Sequence, residues 1–375
     1  PALRKTPSKE PHLHYITNPF EIQYGLELKD KRNYIMQIVR QSLVFEAPRQ
    51  VAIREEILPP LPADQVLVET VASAISAGTE LLFYHGQVPP ELSLDESIEA
   101  LKGEVAYPLK YGYALVGRVV QVGEAVPSHW LQQAVFAFHP HESHFHAAPA
   151  ELMPIPAAIS LEDALFLPNM ETAVNLVMDG APRLGERVAV IGQGVVGLLT
   201  TALLASFPLS DLTTFERLPF RRQISRQLGA HRTLEALPGA REEEKLEAFD
   251  LVFEVSGSPL ALNLAIDLCG FDSRIVIGSW YGSKQAALNL GGHFHRRRIR
   301  LLSSQVSTIA PELSGRWSKA RRFSVVWEMI KRLKPARLIT HRFDLLQAAE
   351  AYRLLAEGGD ETVLQVIFRY PERVS

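Results

Sequence analysis

The sequence predicts an α/β protein in two parts: a strand-rich first half, then a parallel sheet covered by helices on both faces. Three observations predict it. From Met36 to about residue 150 the chain alternates like strands broken at proline-marked turns, as in "MQIVRQSLVFEAPRQVAIREEILPPLPADQVLVETVASAIS". Beyond that, short apolar runs alternate with helical stretches, the pattern of a sheet buried on both faces. Between one such run and one such helix lies a Gly-x-Gly-x-x-Gly turn at Gly192, Gly194 and Gly197.

Composition sets the outer bounds. The chain has 375 residues, 47% of them hydrophobic and 22% charged, which is enough for two ordinary domains. A formal net charge of −3 gives no reason to expect nucleic acid or an acidic membrane as partner. No apolar run approaches the ~20 residues of a membrane span, and the N-terminus lacks the apolar core of a secretory signal, so a cytoplasmic location is expected. Cys269 is the single cysteine, which excludes an intrachain disulfide and every metal site needing two thiolates.

In chain order, residues 1–35 are rich in proline and charge without a period and are expected to be an extension, either a docking arm or an added segment. Val188–Ile191 is a buried strand, followed by the glycine turn and the apolar helix of "VVGLLTTALLASF". "LTTFE" is the next strand and "RRQISRQLGAH" a helix. "FDLVFEVSGS", "RIVIGSWYG" and "IRLLSSQV" are further strands.

The glycine turn carries the first chemistry. Its residues, Gly192, Gln193, Gly194, Val195, Val196 and Gly197, sit where a strand ends and a helix begins. There a helix N-terminus offers free N–H groups to a pyrophosphate. Glu216 ends the following strand 19 residues after Gly197 and is expected to accept hydrogen bonds from the adenosine ribose. The acid favours NAD, because a carboxylate repels a 2′-phosphate. Arg217, Arg221 and Arg222 follow at once and leave NADP open.

The order of parts resembles the medium-chain dehydrogenase/reductase family over residues 36 to about 372. The likeness is carried by "AISAGTELLFYHG", "YGYALVGRVVQVG", "LPNMETAVNLV", the glycine turn, "RRQISRQLGA" and "LITHRFDLLQAAEAYRLL". It implies a GroES-like catalytic domain from 36–157 and 308–375 around a Rossmann cofactor domain at 158–307. Zinc members would show Cys-Gly-Thr-Asp where this chain has Ala77-Gly78-Thr79-Glu80, and Gly-His-Glu where it has Gly112-Tyr113-Ala114. They also carry a lobe of four cysteines. The resemblance is therefore to a zinc-free member. "SAISAGTELL" and "YPLKYGYALVGRVV" are in addition similar to bacteriochlorophyllide dehydrogenases, from which the chain departs at Ala114.

By family position Thr79 is a proton-relay candidate, and Tyr113 points into the cleft as a hydrogen-bond donor or a plain packing aromatic. Glu80 and Asn169 border the substrate. Ser256 and Gly257 lie by the cofactor ribose, Gly278 and Ser279 near the nicotinamide, and Trp280 and Tyr281 on the cleft wall. The octet "HPHESHFH" at 139–146 concentrates four histidines. In an extended segment His139 and His141 share one face and His144 and His146 the other, so a metal site is disfavoured against structural histidines or a substrate-facing acid/base role for His141 and His144, flanking a turn at Glu142-Ser143. "HFHRRR" at 293–298 is either an anion-recognising cluster or a solvated basic face. The functional expectation is an NAD(P)-dependent oxidoreductase without zinc acting on a polar alcohol or ketone. Quinone-oxidoreductase-like or enoyl-reductase activity, and an inactive dinucleotide-binding protein, are the alternatives. The apolar strand "IRLLSSQV", with Ile299, Leu301 and Leu302, is expected to pair two subunits edge to edge in a homodimer.

Overall fold

A computed structural model describes residues 37–236 and 244–370. The expected N-terminal extension lies outside the described residues. The first half forms the hairpin β1 (Val39–Ala47) and β2 (Gln50–Ile57), then β3 (Val66–Ala74), helix α1 (Ala77–Tyr84), β4 (Leu115–Val122), β5 (Ala134–Ala137), β6 (His144–Ala147) and β7 (Leu152–Pro154). After helices α2 (Leu161–Ala164) and α3 (Leu167–Gly180) comes an alternating series. It runs β8 (Arg187–Ile191), α4 (Val195–Leu204), β9 (Asp211–Phe215), α5 (Pro219–Gln227), β10 (Arg232–Leu234), β11 (Phe249–Glu254), α6 (Ala261–Leu268), β12 (Cys269–Ile277) and β13 (Arg300–Ser303). The chain closes with α7 (Lys319–Leu333), β14 (Ile339–Asp344), α8 (Ala348–Glu357) and β15 (Gln365–Arg369).

The alternating series builds a parallel sheet in the order β10-β9-β8-β11-β12-β13. Its central strands are buried at all but one position each, which explains why "RVAVI" and "FDLVFE" show no alternation of apolar and polar residues. The strand order reverses between β8 and β11. In sheets of this kind the crevice that takes a ligand lies beyond the carboxyl ends of the strands at such a reversal. β1 and β2 form a two-stranded sheet of their own, and the other strands form a larger second sheet, β14-β15-β3-β4-β5-β7, with β6 paired antiparallel to β3. β15, from the far end of the chain, hydrogen-bonds β3 and completes this sheet.

Two boundaries differ from the sequence expectation. β12 starts at Cys269, ahead of the apolar run "RIVI", because its first residue pairs with Phe249 on β11. The histidine octet is a strand only from His144; Glu142 instead bridges Ser42 on β1, so a second strand claims the segment before it.

Helix α3 sits between the sheets and is buried at ten of its fourteen positions. One core cluster runs through it, from Ala72, Val116 and Phe136 on the second sheet to Val188 and Phe253 on the parallel sheet. Arg322 on α7 has no exposed surface. It bonds Glu171 on α3 through Nε at 3.1 Å and Nη2 at 2.6 Å, and Asn175 Oδ1 at 2.6 Å. This buried pair fixes the closing helix against α3.

Candidate active site

The glycine turn shows three different uses of an absent side chain. A Cβ on Gly192 would lie 2.6 Å from Ser256 Cα, and one on Gly197 would lie 2.0 Å from the Gly192 carbonyl oxygen, so both positions admit only hydrogen. A Cβ on Gly194 would meet nothing within 4 Å. Gly194 is the N-cap of α4, and no side chain caps the helix. An open cradle in front of an uncapped N-terminus, with half-buried Val195 and Val196 opening the helix, fits a dinucleotide pyrophosphate.

Glu216 is held in place by the backbone it serves. Its Oε2 accepts from the Gln193 N–H at 2.7 Å and its Oε1 from the Leu218 N–H at 3.1 Å. The Gln193 side chain is a buried peg, donating to the Gly192 carbonyl at 3.0 Å and accepting from Thr201 at 3.1 Å. Of the neighbouring arginines, Arg222 donates to the carbonyls of Glu216 and Arg217 at 2.7 Å each, while Arg217 itself is exposed. Arg221 donates from Nη2 to the Val363 carbonyl at 2.8 Å, its Nε is buried without a partner, and burial lowers its pKa.

On the other side of the crevice, the Gly257 N–H donates to Ser279 Oγ at 2.8 Å and the Gly278 N–H to the Glu254 carbonyl at 2.9 Å, which ties the loops after β11 and β12 together. Tyr281 donates its hydroxyl to the Glu254 carboxylate; burial, and then that negative charge, push its pKa up. Trp280 is 40% exposed, with its ring centroid 6.2 Å from Phe83 on α1. Asn169 reaches Gln365 on β15 at 3.4 Å.

The start of α1 carries the second cluster. The Tyr113 hydroxyl bonds Ser76 Oγ and lies 3.2 Å from Thr79 Oγ1. Burial pushes its pKa up to about 12, so it stays a neutral phenol over the whole physiological range. Glu80 Oε1 accepts the Ser76 N–H at 2.7 Å, which anchors the first turn of α1. Behind it, Glu80 Oε2 accepts from the Tyr352 hydroxyl and lies 3.1 Å from His141 Nε2, while His141 Nδ1 is 2.7 Å from Ser73 Oγ and Ser73 Oγ is 2.9 Å from the Tyr370 hydroxyl. The His141 ring fills the space a Gly112 side chain would need: a Cβ there would approach it to 2.8 Å.

The octet therefore divides. His141 is fully buried with both ring nitrogens partnered, which corrects the expectation that it faces the cleft to exchange protons. His144 lies on β6 with Nδ1 3.1 Å from Ser143 Oγ and Nε2 3.7 Å from Glu69, so it does not share a pocket wall with His141. His139 stacks on Phe145 at 3.9 Å, and burial pushes its pKa down to about 4. Ser73, Ser76, Tyr352 and Tyr370 were not legible as site residues. Their contacts with the cluster span up to 297 positions, and no local spacing signals such a pairing.

At the positions that by resemblance hold ligands in zinc members, Ala77 and Ala114 offer methyl groups and the Tyr113 hydroxyl is engaged by Ser76 and Thr79, a poor fit to a zinc ion.

A glycine-cradled parallel sheet is joined to a second sheet that carries a hydroxyl cluster beyond the ends of its inner strands β3 and β4. No family model matches the sequence. The chain is 27% identical over 224 residues to a zinc-type alcohol dehydrogenase-like protein of Escherichia coli, YphC, covering 58% of this chain and 60% of that protein. It is 24% identical over 335 residues to the 2-desacetyl-2-hydroxyethyl bacteriochlorophyllide A dehydrogenase of Cereibacter sphaeroides, covering 83% of this chain and 92% of that protein. The fold superposes on RspB of E. coli CFT073, solved with NADH, with a TM-score of 0.71 at 20% identity, covering 88% of this chain and 99% of that one. It also superposes on a putative zinc-binding dehydrogenase of Sinorhizobium meliloti, solved with NADP, with a TM-score of 0.69 at 17% identity, covering 89% and 100%. The chain spans about three fifths of the length of YphC, and what it shares with the solved dehydrogenases is their two-part fold, a Rossmann sheet joined to a GroES-like one.

Proposed function

We propose that this protein transfers hydride between a nicotinamide cofactor and a polar alcohol or ketone without a catalytic zinc, with NAD as the preferred cofactor. The observation that supports the reading is the hydroxyl cluster of Tyr113, Ser76 and Thr79, beside Ala77 and including Tyr113, two positions that by resemblance hold ligands in zinc members. The bound nicotinamide supplies the hydride acceptor or donor. The neutral Tyr113 phenol orients the substrate oxygen by hydrogen bonding and polarises a carbonyl. Thr79 and Ser76 pass the proton that accompanies hydride transfer. Glu80 and His141 stand behind as positioning residues, holding Ser76 through its N–H. The preference for NAD is supported by Glu216, which is backbone-oriented at the end of β9, and by Arg222, whose Nη1 is committed to carbonyls. A homodimer is supported by β13, which is the outer strand of the parallel sheet and carries half-buried Leu301 and Leu302. A cytoplasmic location suits a chain whose lone cysteine is buried.

The test is nicotinamide turnover with a panel of diols, polyols and ketones, on protein exhaustively dialysed against chelator and analysed for metal. Tyr113→Phe is expected to lower turnover by roughly 10–100-fold while leaving cofactor affinity unchanged. One tightly held zinc per chain, or full activity in Tyr113→Phe, defeats the reading.

A further inference from the structure

Glu254 is the last residue of β11, in register with Ile191 at the end of β8, so it stands at the point where the strand order reverses. Its side chain has no exposed surface. A buried carboxylate is costly unless hydrogen-bonded or paired. Here Oε1 accepts from the Ser256 N–H at 2.8 Å and from the Ser256 hydroxyl, and Oε2 accepts from the Tyr281 hydroxyl. No cation among the described residues forms a salt bridge with it. Lys284, on the same loop as Tyr281, donates to the Gly257 carbonyl at 3.2 Å instead. Ser256, which bonds Glu254 through both its N–H and its hydroxyl, packs against Gly192 at the mouth of the glycine turn. The site thus holds a negative charge satisfied by hydrogen bonds but not neutralised, on the wall of the dinucleotide crevice.

The two redox forms of a nicotinamide cofactor differ by one unit of positive charge on the ring, so a fixed carboxylate beside the crevice distinguishes them. We propose that Glu254 is a positioning residue with an electrostatic role. It joins the loops after β11 and β12, and its uncompensated charge favours the oxidised, cationic cofactor over the reduced, neutral one. The protein is thereby biased toward taking up oxidised cofactor and releasing it reduced. This inference rests on the dinucleotide-binding reading of the crevice.

The experiment is calorimetric titration of the full chain with NAD+ and NADH, and with NADP+ and NADPH if those bind more tightly. Glu254→Gln keeps the shape and one accepting oxygen, turns the other position into a donor that the Tyr281 or Ser256 hydroxyl can accept from, and removes the charge. It is expected to weaken the oxidised form about tenfold relative to the reduced form. Tyr281→Phe and Glu254→Asp disturb the loop contacts but keep the charge, and are expected to change both affinities alike. Should the glutamine variant fail to fold, Glu254→Leu reads the same ratio. An unchanged ratio of the two affinities in the charge-removing variant overturns the proposal. Wild-type protein that binds no nicotinamide form defeats the dinucleotide reading itself, and this inference with it.

Discussion

Gly194 and Gly197 lie three residues apart, yet alanine at the two positions should have opposite consequences. At Gly197 the new methyl would sit 2.0 Å from the Gly192 carbonyl oxygen, well inside van der Waals contact, and the obstacle is backbone. Helix α4 and the end of β8 must separate by more than ~1 Å, an overpacking cost of ~3 kcal/mol or more. Alanine's better helix propensity offsets only ~1 kcal/mol of it. The net loss is ~2 kcal/mol, a fall in melting temperature of about 4 °C. At Gly194 the methyl meets no protein atom within 4 Å, and the backbone is extended with φ −69° and ψ −173°. The small gain from a less flexible unfolded chain and the small loss at an N-cap leave stability within ~0.5 kcal/mol of wild type. That methyl instead enters the pyrophosphate cradle, and cofactor affinity should fall by about tenfold or more. Thermal melts and calorimetric titration of both variants check the pair. A Gly194→Ala protein that binds nucleotide like wild type, or that melts as early as Gly197→Ala, refutes this account of the turn.

Acid should destabilise the protein through His139. Its pKa is about 4 in the folded chain, against ~6.5 when unfolded, so between these values the unfolded state takes up a proton the native state refuses. Stability is complete above pH ~6.5 and falls by up to ~3 kcal/mol as the pH drops toward 4. Urea melts at several pH values should show a shallower decline in His139→Leu. Removing Arg322 leaves Glu171 buried without its partner, so Arg322→Met should cost ~3–5 kcal/mol, much of it recovered by adding Glu171→Leu. A double-mutant cycle in denaturant measures both. In light scattering at micromolar concentration the chain should have twice its own mass, and Leu301→Glu on the outer edge of the parallel sheet should halve it. A monomeric wild type would exclude pairing through that edge.

The sequence by itself determined what depends on neighbours along the chain. The buried strand at Val188–Ile191, the glycine turn, helix α4 and the position of Glu216 at the end of the next strand were legible together, because a crossover unit of this kind is built within about thirty residues and its turn tolerates few side chains. The residue types at Ala77, Tyr113 and Ala114 were equally readable, since identity at a position does not depend on the fold. Only the tertiary structure decided how the histidines divide. Alternation along an extended segment assigns faces, but not what stands opposite each face. His141 is claimed by Glu80 from α1 and by Ser73 from β3, His139 by the ring of Phe145, and His144 by Glu69 across the β3–β6 ladder. The same holds for Glu254, which reads in sequence as the end of one more buried strand. Its significance comes from the reversal of strand order beside it and from a tyrosine 27 residues away that folds back onto its carboxylate. Long-range packing sets which polar groups meet in the interior, and no local pattern encodes it.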